Sequence, residues 1–168
     1  LMIGFLMGLA NGFAIITAQK FGARDYAGVK KSFALSIKMG CIIALAITVL
    51  CLLFLRQILG FLNVSNDLMG MAVSYIFIII AGLVATFLYD ACAAALRALG
   101  DTVTPLVSSS LEMVGKIVIA FTLVPLLGYT GVIVAEPIVW FIMVIPLLVK
   151  IYTMPVLRKQ PVSVSLKN

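Results

Sequence analysis

The stretch SFALSIKMGCIIALAITVLCLLFL, residues 32–55, contains a single charged side chain, Lys38, in an otherwise apolar run. About 20 apolar residues are enough to cross the hydrocarbon core of a bilayer as an α-helix. The run is continuous rather than alternating, and only a helix satisfies its own backbone hydrogen bonds within lipid. The segment therefore predicts a membrane-spanning helix, with Lys38 close enough to its start to extend to the membrane surface.

Four further stretches have the same character and also predict spanning helices. They cover about residues 1–19, 69–96, 105–126 and 131–152. Hydrophobic residues make up 64% of the chain and charged residues 11%, whereas a soluble domain holds roughly 45–50% and about 25%. We therefore expect an all-α integral membrane protein of about five transmembrane helices. The membrane bundle is expected over residues 1–155 and a cytoplasmic tail over residues 156–168.

The basic excess of the chain fits a membrane surface better than a nucleic acid. The net charge is +6, and the basic side chains lie mostly between or after the apolar runs, next to lipid headgroups. Membrane lipid is therefore an expected partner and nucleic acid is not. Because cytoplasmic loops are enriched in lysine and arginine, the first loop, the third loop and the tail are expected on the cytoplasmic side of the plasma membrane. Their basic residues are Lys20, Arg24, Lys30, Lys31, Arg97, Arg158, Lys159 and Lys167.

Composition argues against enzyme chemistry and against a bound metal or cofactor. The chain has no histidine, and its three cysteines lie inside apolar runs without a CxxC spacing. Neither a Ser–His nor a Cys–His nucleophile can therefore form. Asp90 and Asp101 lie about 16 Å apart by helical rise, which is too far to share a proton as the carboxyls of an aspartyl protease do.

Glycine and capping residues predict where the helices end. Gly100 is placed to take the left-handed conformation that closes the third helix, and Gly22 is expected to end the first in the same way. Thr104 can cap the fourth helix. Arg97 and Asp101 are four residues apart and could form an ion pair across that junction.

Ionisable side chains within the predicted spans mark a candidate site, because such groups usually face one another or a cavity. Asp90 lies seven residues before Arg97, and Glu112 lies seven residues after Pro105 on the next, antiparallel helix. The two carboxyls are therefore expected at about the same depth. Lys116 follows Glu112 by one helical turn and lies on the same face.

Two interpretations of this group stay open. In the first, Lys116 neutralises Glu112 and joins helices without any further role. In the second, the group is a cation or proton site in which Asp90 is the best candidate, with Tyr89 and Tyr75 as polar neighbours.

The last predicted helix adds a further candidate, Glu136. Because Pro137 follows it, we expect a kink near the outer end of this helix and a carboxyl that has a partner. Trp140 and Tyr129 are expected near the outer membrane interface, where amphipathic rings are common. On the first helix, the glycines at positions 4, 8 and 12 have the GxxxG spacing that permits close helix packing.

Two groups of residues resemble signatures of the multidrug and toxic compound extrusion (MATE) family of secondary transporters. The first is similar to a helix-end motif and comprises Gln19, Phe21, Gly22, Ala23 and Asp25. The second is similar to a cytoplasmic signature and comprises Arg97, Gly100, Asp101 and Pro105. The segment GYTGV at 128–132, with Glu136, Pro137 and Trp140, resembles the last two helices of the family's carboxy-terminal half.

The resemblance implies two six-helix bundles with a cavity between them, of which this chain would supply helices two to six of the carboxy-terminal bundle. It implies exchange of Na⁺ or H⁺ for organic cations and drugs, with no cofactor beyond the coupling ion, and the missing half of the transporter as a partner. Asp90 lies on the helix where some members place a cation-binding aspartate. A flippase of lipid-linked cargo, which shares the bundle plan, and a membrane protein without transport activity are the alternatives. Because Leu1 already lies within an apolar stretch, we expect a piece of a longer protein.

Overall fold

The computed structural model describes residues 2–157, and all of its regular elements are helices. The element order is α1 (Met2–Gly22), α2 (Tyr26–Leu53), α3 (Leu55–Phe61), α4 (Asn66–Ala81), α5 (Leu83–Ala98), α6 (Val103–Leu127) and α7 (Tyr129–Thr153). The expected tail lies outside the described residues from position 158 onward.

The predicted fold class is confirmed. In the described part of the chain, α1, α2, α6 and α7 are each long and apolar enough to cross a bilayer. Together, α4 and α5 are also long and apolar enough to cross a bilayer. They meet at an angle of 41° and count as a fifth span if they are taken as one bent helix. One loop and one helix differ from expectation. The first predicted loop shrinks to residues 23–25 because α1 and α2 extend into the basic segment, and the unpredicted short helix α3 follows α2.

The bend between α4 and α5 occurs at Gly82, and nearby hydroxyls satisfy backbone groups there. The Thr48 hydroxyl of α2 donates to the carbonyl of Ile80 at 3.3 Å. The Thr86 hydroxyl donates to the carbonyl of Leu83 at 3.0 Å. These contacts matter because lipid offers no hydrogen-bond partners to a broken helix.

The α5 helix is the centre of the bundle and contacts α1, α2, α4, α6 and α7. Its side chains from Ala91 to Leu96 are all buried, and so are Leu83 and Phe87. The run of small residues at 91–95 lets neighbouring helices approach closely, which is how helices associate in a solvent as apolar as their own side chains.

The turn between α1 and α2 accounts for the first family-like motif. The Asp25 N–H donates to the carbonyl of Lys20 at 3.0 Å. The Asp25 carboxylate accepts from the Gly28 N–H at 2.8 Å and so caps α2. Gly22 ends α1 as predicted, but the residue with a left-handed backbone is Arg24, with φ 58°.

The turn between α5 and α6 accounts for the second motif. Gly100 has φ 90°, which confirms the prediction for this position. The capping side chain is Asp101 rather than Thr104, since its carboxylate accepts from the Thr104 N–H at 3.0 Å and from the Thr104 hydroxyl at 2.8 Å. The predicted pair with Arg97 is wrong, because Asp101 instead contacts Lys150 of α7 at 3.2 Å. The pKa of Asp101 is lowered, chiefly by the hydrogen bond from the Thr104 N–H. The Thr104 hydroxyl and the Lys150 ammonium group lower this pKa further, whereas burial of the carboxyl opposes the shift.

Candidate functional site

A cavity of about 300 Å³ lies where five helices of the bundle meet. The polar and aromatic side chains in its wall are Thr86, Tyr89, Asp90, Glu112, Lys116, Glu136 and Trp140. The apolar part of the wall is formed by Ile3, Ile79, Leu83 and Met143. The structure therefore brings all five predicted site residues to one cavity, although they come from three different helices.

The central polar contact in the cavity is made by Lys116. Its Nζ lies 3.1 Å from Oε1 of Glu112, one turn earlier on α6. The same nitrogen lies 3.6 Å from Oε2 of Glu136 on α7. We call this arrangement the lysine bridge. It confirms the predicted Glu112–Lys116 contact and adds a second carboxylate from the neighbouring helix.

Asp90 faces the same cavity but takes no part in the lysine bridge. The ion pairs found within residues 2–157 do not include it. Its neighbour Tyr89 exchanges a hydrogen bond with Ser109 of α6, with 2.9 Å between the two hydroxyl oxygens. This contact joins α5 to α6 beside the carboxyl group. Among the described residues, Asp90 is thus the one carboxyl group of the cavity wall that lies outside an ion pair.

The Trp140 ring in the cavity wall packs directly against the backbone of Gly82. A Cβ atom on Gly82 would come within 1.9 Å of the Trp140 ring, so the ring occupies the space that the glycine leaves at the bend. Trp140 is the twelfth of the 25 residues of α7 and lines the cavity, so it lies at the middle of this helix rather than at the end where it was expected. Tyr129 begins α7 and donates its hydroxyl to the carbonyl of Met71.

Sequence reasoning missed three features of this site. It did not place Glu136 against Lys116, and it expected Tyr75, which the cavity wall lacks, as a polar neighbour. It also did not find the bend at Gly82. The glycine in the middle of a long apolar run was the available signal, since glycine is a common position for kinks.

The acidic side chains of the cavity are not arranged as a metal centre. Within residues 2–157, no group of three or more His, Cys, Asp or Glu side chains is close enough to hold a metal ion. The lysine bridge explains this arrangement, because an ammonium group lies between the carboxylates of α6 and α7.

The fold and the cavity define a helical multi-span membrane protein with a charged cavity inside the bundle. The family model MatE matches residues 1–122, so the chain belongs to the MatE family, whose members are transporters rather than enzymes. No curated protein sequence matches the chain.

Solved MATE structures share this fold. The chain is similar to a multidrug resistance MATE family transporter of the MOP superfamily in an inward-facing conformation, with a TM-score of 0.84 and 19% identity. That match covers 92% of this chain and 36% of the other. It is also similar to a MATE crystal structure in the bent conformation, with a TM-score of 0.87, 18% identity and coverage of 95% and 36%.

A third similar structure is an outward-facing MATE transporter, with a TM-score of 0.77, 23% identity and coverage of 90% and 33%. At these identities the likeness shows the fold alone. The chain spans about a third of the length of each of these transporters.

Proposed function

We propose that these residues form most of one bundle of a cation-coupled efflux antiporter that exports organic cations in exchange for Na⁺ or H⁺. The main support for this proposal is the cavity and the state of Asp90 within it. Among the described residues, the Asp90 carboxyl takes part in none of the ion pairs. A carboxyl inside a membrane bundle is costly unless it faces a partner or a ligand. Family membership supports transport as the purpose of that ligand site.

The charge of the cavity favours a cationic cargo over a lipid-linked one. Its wall holds three carboxyl groups and one ammonium group. Such a surface attracts a cation and repels the phosphate groups of lipid-linked cargo. The Trp140 ring adds a face on which an organic cation can lie.

A single bundle supplies only one wall of an alternating-access pathway. Transporters of this general plan place the substrate site between two repeats that rock against each other. We therefore propose that the missing half of the transporter completes the pathway, and that the 168-residue chain alone does not transport. A membrane protein without transport activity is the competing interpretation.

Replacing Asp90 with Asn tests the proposed function. We expect the full-length protein that contains these residues to expel the fluorescent cation dimethylaminostyryl-methylpyridinium from vesicles when a Na⁺ or proton gradient is imposed. The Asp90→Asn variant should lose most of this gradient-dependent efflux, because a neutral amide cannot exchange one cation for another. Asp67→Asn, which makes the same carboxylate-to-amide change at an exposed residue outside the cavity, is the matched control.

Efflux that is equally fast without any gradient would contradict cation coupling. Unchanged efflux by Asp90→Asn would remove Asp90 from the coupling site. Robust gradient-driven efflux by the 168-residue chain alone would contradict the need for a second half.

We also propose that the α1–α2 and α5–α6 turns face the cytoplasm of a cell whose plasma membrane holds the protein. This orientation rests on the basic residues near these turns. Single cysteines at Ala27 and Asn63, both exposed, would test it on a background that lacks Cys41, Cys51 and Cys92. A membrane-impermeant thiol reagent should label only position 63 in intact cells. Labelling of position 27 instead would reverse the orientation.

A further inference from the structure

The lysine bridge has the geometry of an occupied cation site. An ammonium group that contacts carboxylates from two helices makes the same contacts that an external cation would make there. Lys116 is the fourteenth of 25 residues in α6, so its side chain begins deep in the span rather than near a membrane surface. The orientation of a membrane protein is set by basic residues in its loops, so a lysine in the middle of a span is not needed for that purpose.

The surroundings of the bridge give Lys116 room to leave it. Lys116 retains 45% of its side-chain exposure, Glu112 retains 31% and Glu136 retains 22%. The bridge borders the cavity of about 300 Å³ instead of being enclosed by packed side chains. A long, flexible side chain in such a place can exchange partners, whereas a fully packed ion pair cannot.

We propose that Lys116 is a tethered competitor, which occupies the carboxylates of Glu112 and Glu136 until an external monovalent organic cation displaces it. The proposal rests on the proposed function, because it assigns a regulatory role to a residue in the same cavity. Asp90 stays available throughout, since its carboxyl lies outside the bridge. A cation in the cavity can therefore pair with Asp90 directly and gains the other two carboxylates only by displacing Lys116.

The competitor sets the affinity of the site. When a binding-competent state is only partly populated, the apparent affinity falls by that fraction. If Lys116 leaves the bridge about one tenth of the time, the apparent affinity is reduced about tenfold. A site that binds its cargo only moderately can also release it, and release is required on each transport cycle.

Equilibrium binding of dimethylaminostyryl-methylpyridinium, followed by fluorescence polarisation of the full-length protein in detergent, tests the proposal. We expect Lys116→Met to bind this cation about tenfold more tightly than the unaltered protein. Lys38→Met serves as the control, since it removes the same charge from a residue that lies outside the cavity wall and outside the ion pairs found within residues 2–157, and its affinity should be unchanged.

A second variant keeps the test possible if Lys116→Met fails to fold. Lys116→Met combined with Glu112→Gln removes one charge of each sign and leaves Glu136 and Asp90 accessible. This double variant should also bind more tightly than the unaltered protein. Adding Glu136→Gln to it should return the affinity to, or below, the original value.

The outcomes separate the two proposals. If the unaltered protein binds the cation and both Lys116 variants bind it equally or more weakly, Lys116 is not a competitor, and the proposed function stands. If neither the unaltered protein nor any variant binds the cation, the cavity is not a site for organic cations, and both proposals fail.

Discussion

Replacing Gly40 with Ala is expected to destabilise the bundle by about 3 kcal/mol, the upper end of the usual cost of overpacking a core. A Cβ atom at this position of α2 would lie 1.8 Å from the Cζ atom of Phe87. Phe87 is fully buried in α5, at 0% exposure, so its ring cannot rotate into open space. Alanine also gains about 0.5–1 kcal/mol over glycine within a helix, which offsets only part of the clash.

The effect should appear as a lower apparent unfolding temperature in detergent, measured by scattering or by reaction of buried thiols. Gly8→Ala is the matched control, because among the described residues no atom beyond its chain neighbours and the backbone of α1 lies within 4 Å of the added methyl group. Phe87→Leu in the Gly40→Ala background should restore part of the stability, since the shorter side chain vacates the contested space. A Gly40→Ala protein as stable as Gly8→Ala would show that α2 and α5 do not approach so closely.

Replacing Lys116 with Leu is expected to cost about 1–3 kcal/mol in the stability of the bundle. Removing one member of a fully buried ion pair costs about 3–5 kcal/mol because the other charge is left uncompensated. The cost should be smaller here, since the three side chains of the bridge are partly exposed. Unlike a single pair, the bridge leaves two carboxylates, Glu112 and Glu136, without their common partner.

Thermal unfolding in detergent would measure this loss. Adding Glu112→Gln should recover part of it, and adding Glu136→Gln as well should recover more. Lys38→Leu is a suitable control, since Lys38 lies in a span but takes part in none of the ion pairs found within residues 2–157. If the effects of Lys116→Leu and Glu112→Gln simply add, the two residues do not interact in solution.

The fold was predictable because its main determinant is local. Apolar runs such as residues 32–55 and 131–152 identify spans by length and composition alone. The turns were partly predictable because they too depend on local sequence. The left-handed backbone of Gly100, for example, was expected from its position just after a helix. Asp101 was harder, because its ionic partner Lys150 is 49 positions away in sequence and only tertiary packing brings the two together.

The candidate site was predictable in its members but not in its connections. Charged residues within apolar runs are conspicuous, so Asp90, Glu112, Lys116 and Glu136 were all found. Helical spacing fixed the contact between Glu112 and Lys116. The contact between Lys116 and Glu136 depends on how α6 and α7 are rotated against each other, and spacing within one helix carries no information on that rotation.

The bend at Gly82 makes the position of Asp90 depend on an angle. Asp90 lies eight residues beyond Gly82 on α5, which is a lever of about 12 Å at the helical rise of 1.5 Å per residue. A change of about 10° in the angle between α4 and α5 would therefore carry the Asp90 backbone through about 2 Å. That distance is comparable to the difference between direct contact with a cation and separation from it by water. The bend at Gly82 thus sets the position of the Asp90 backbone relative to the rest of the cavity wall.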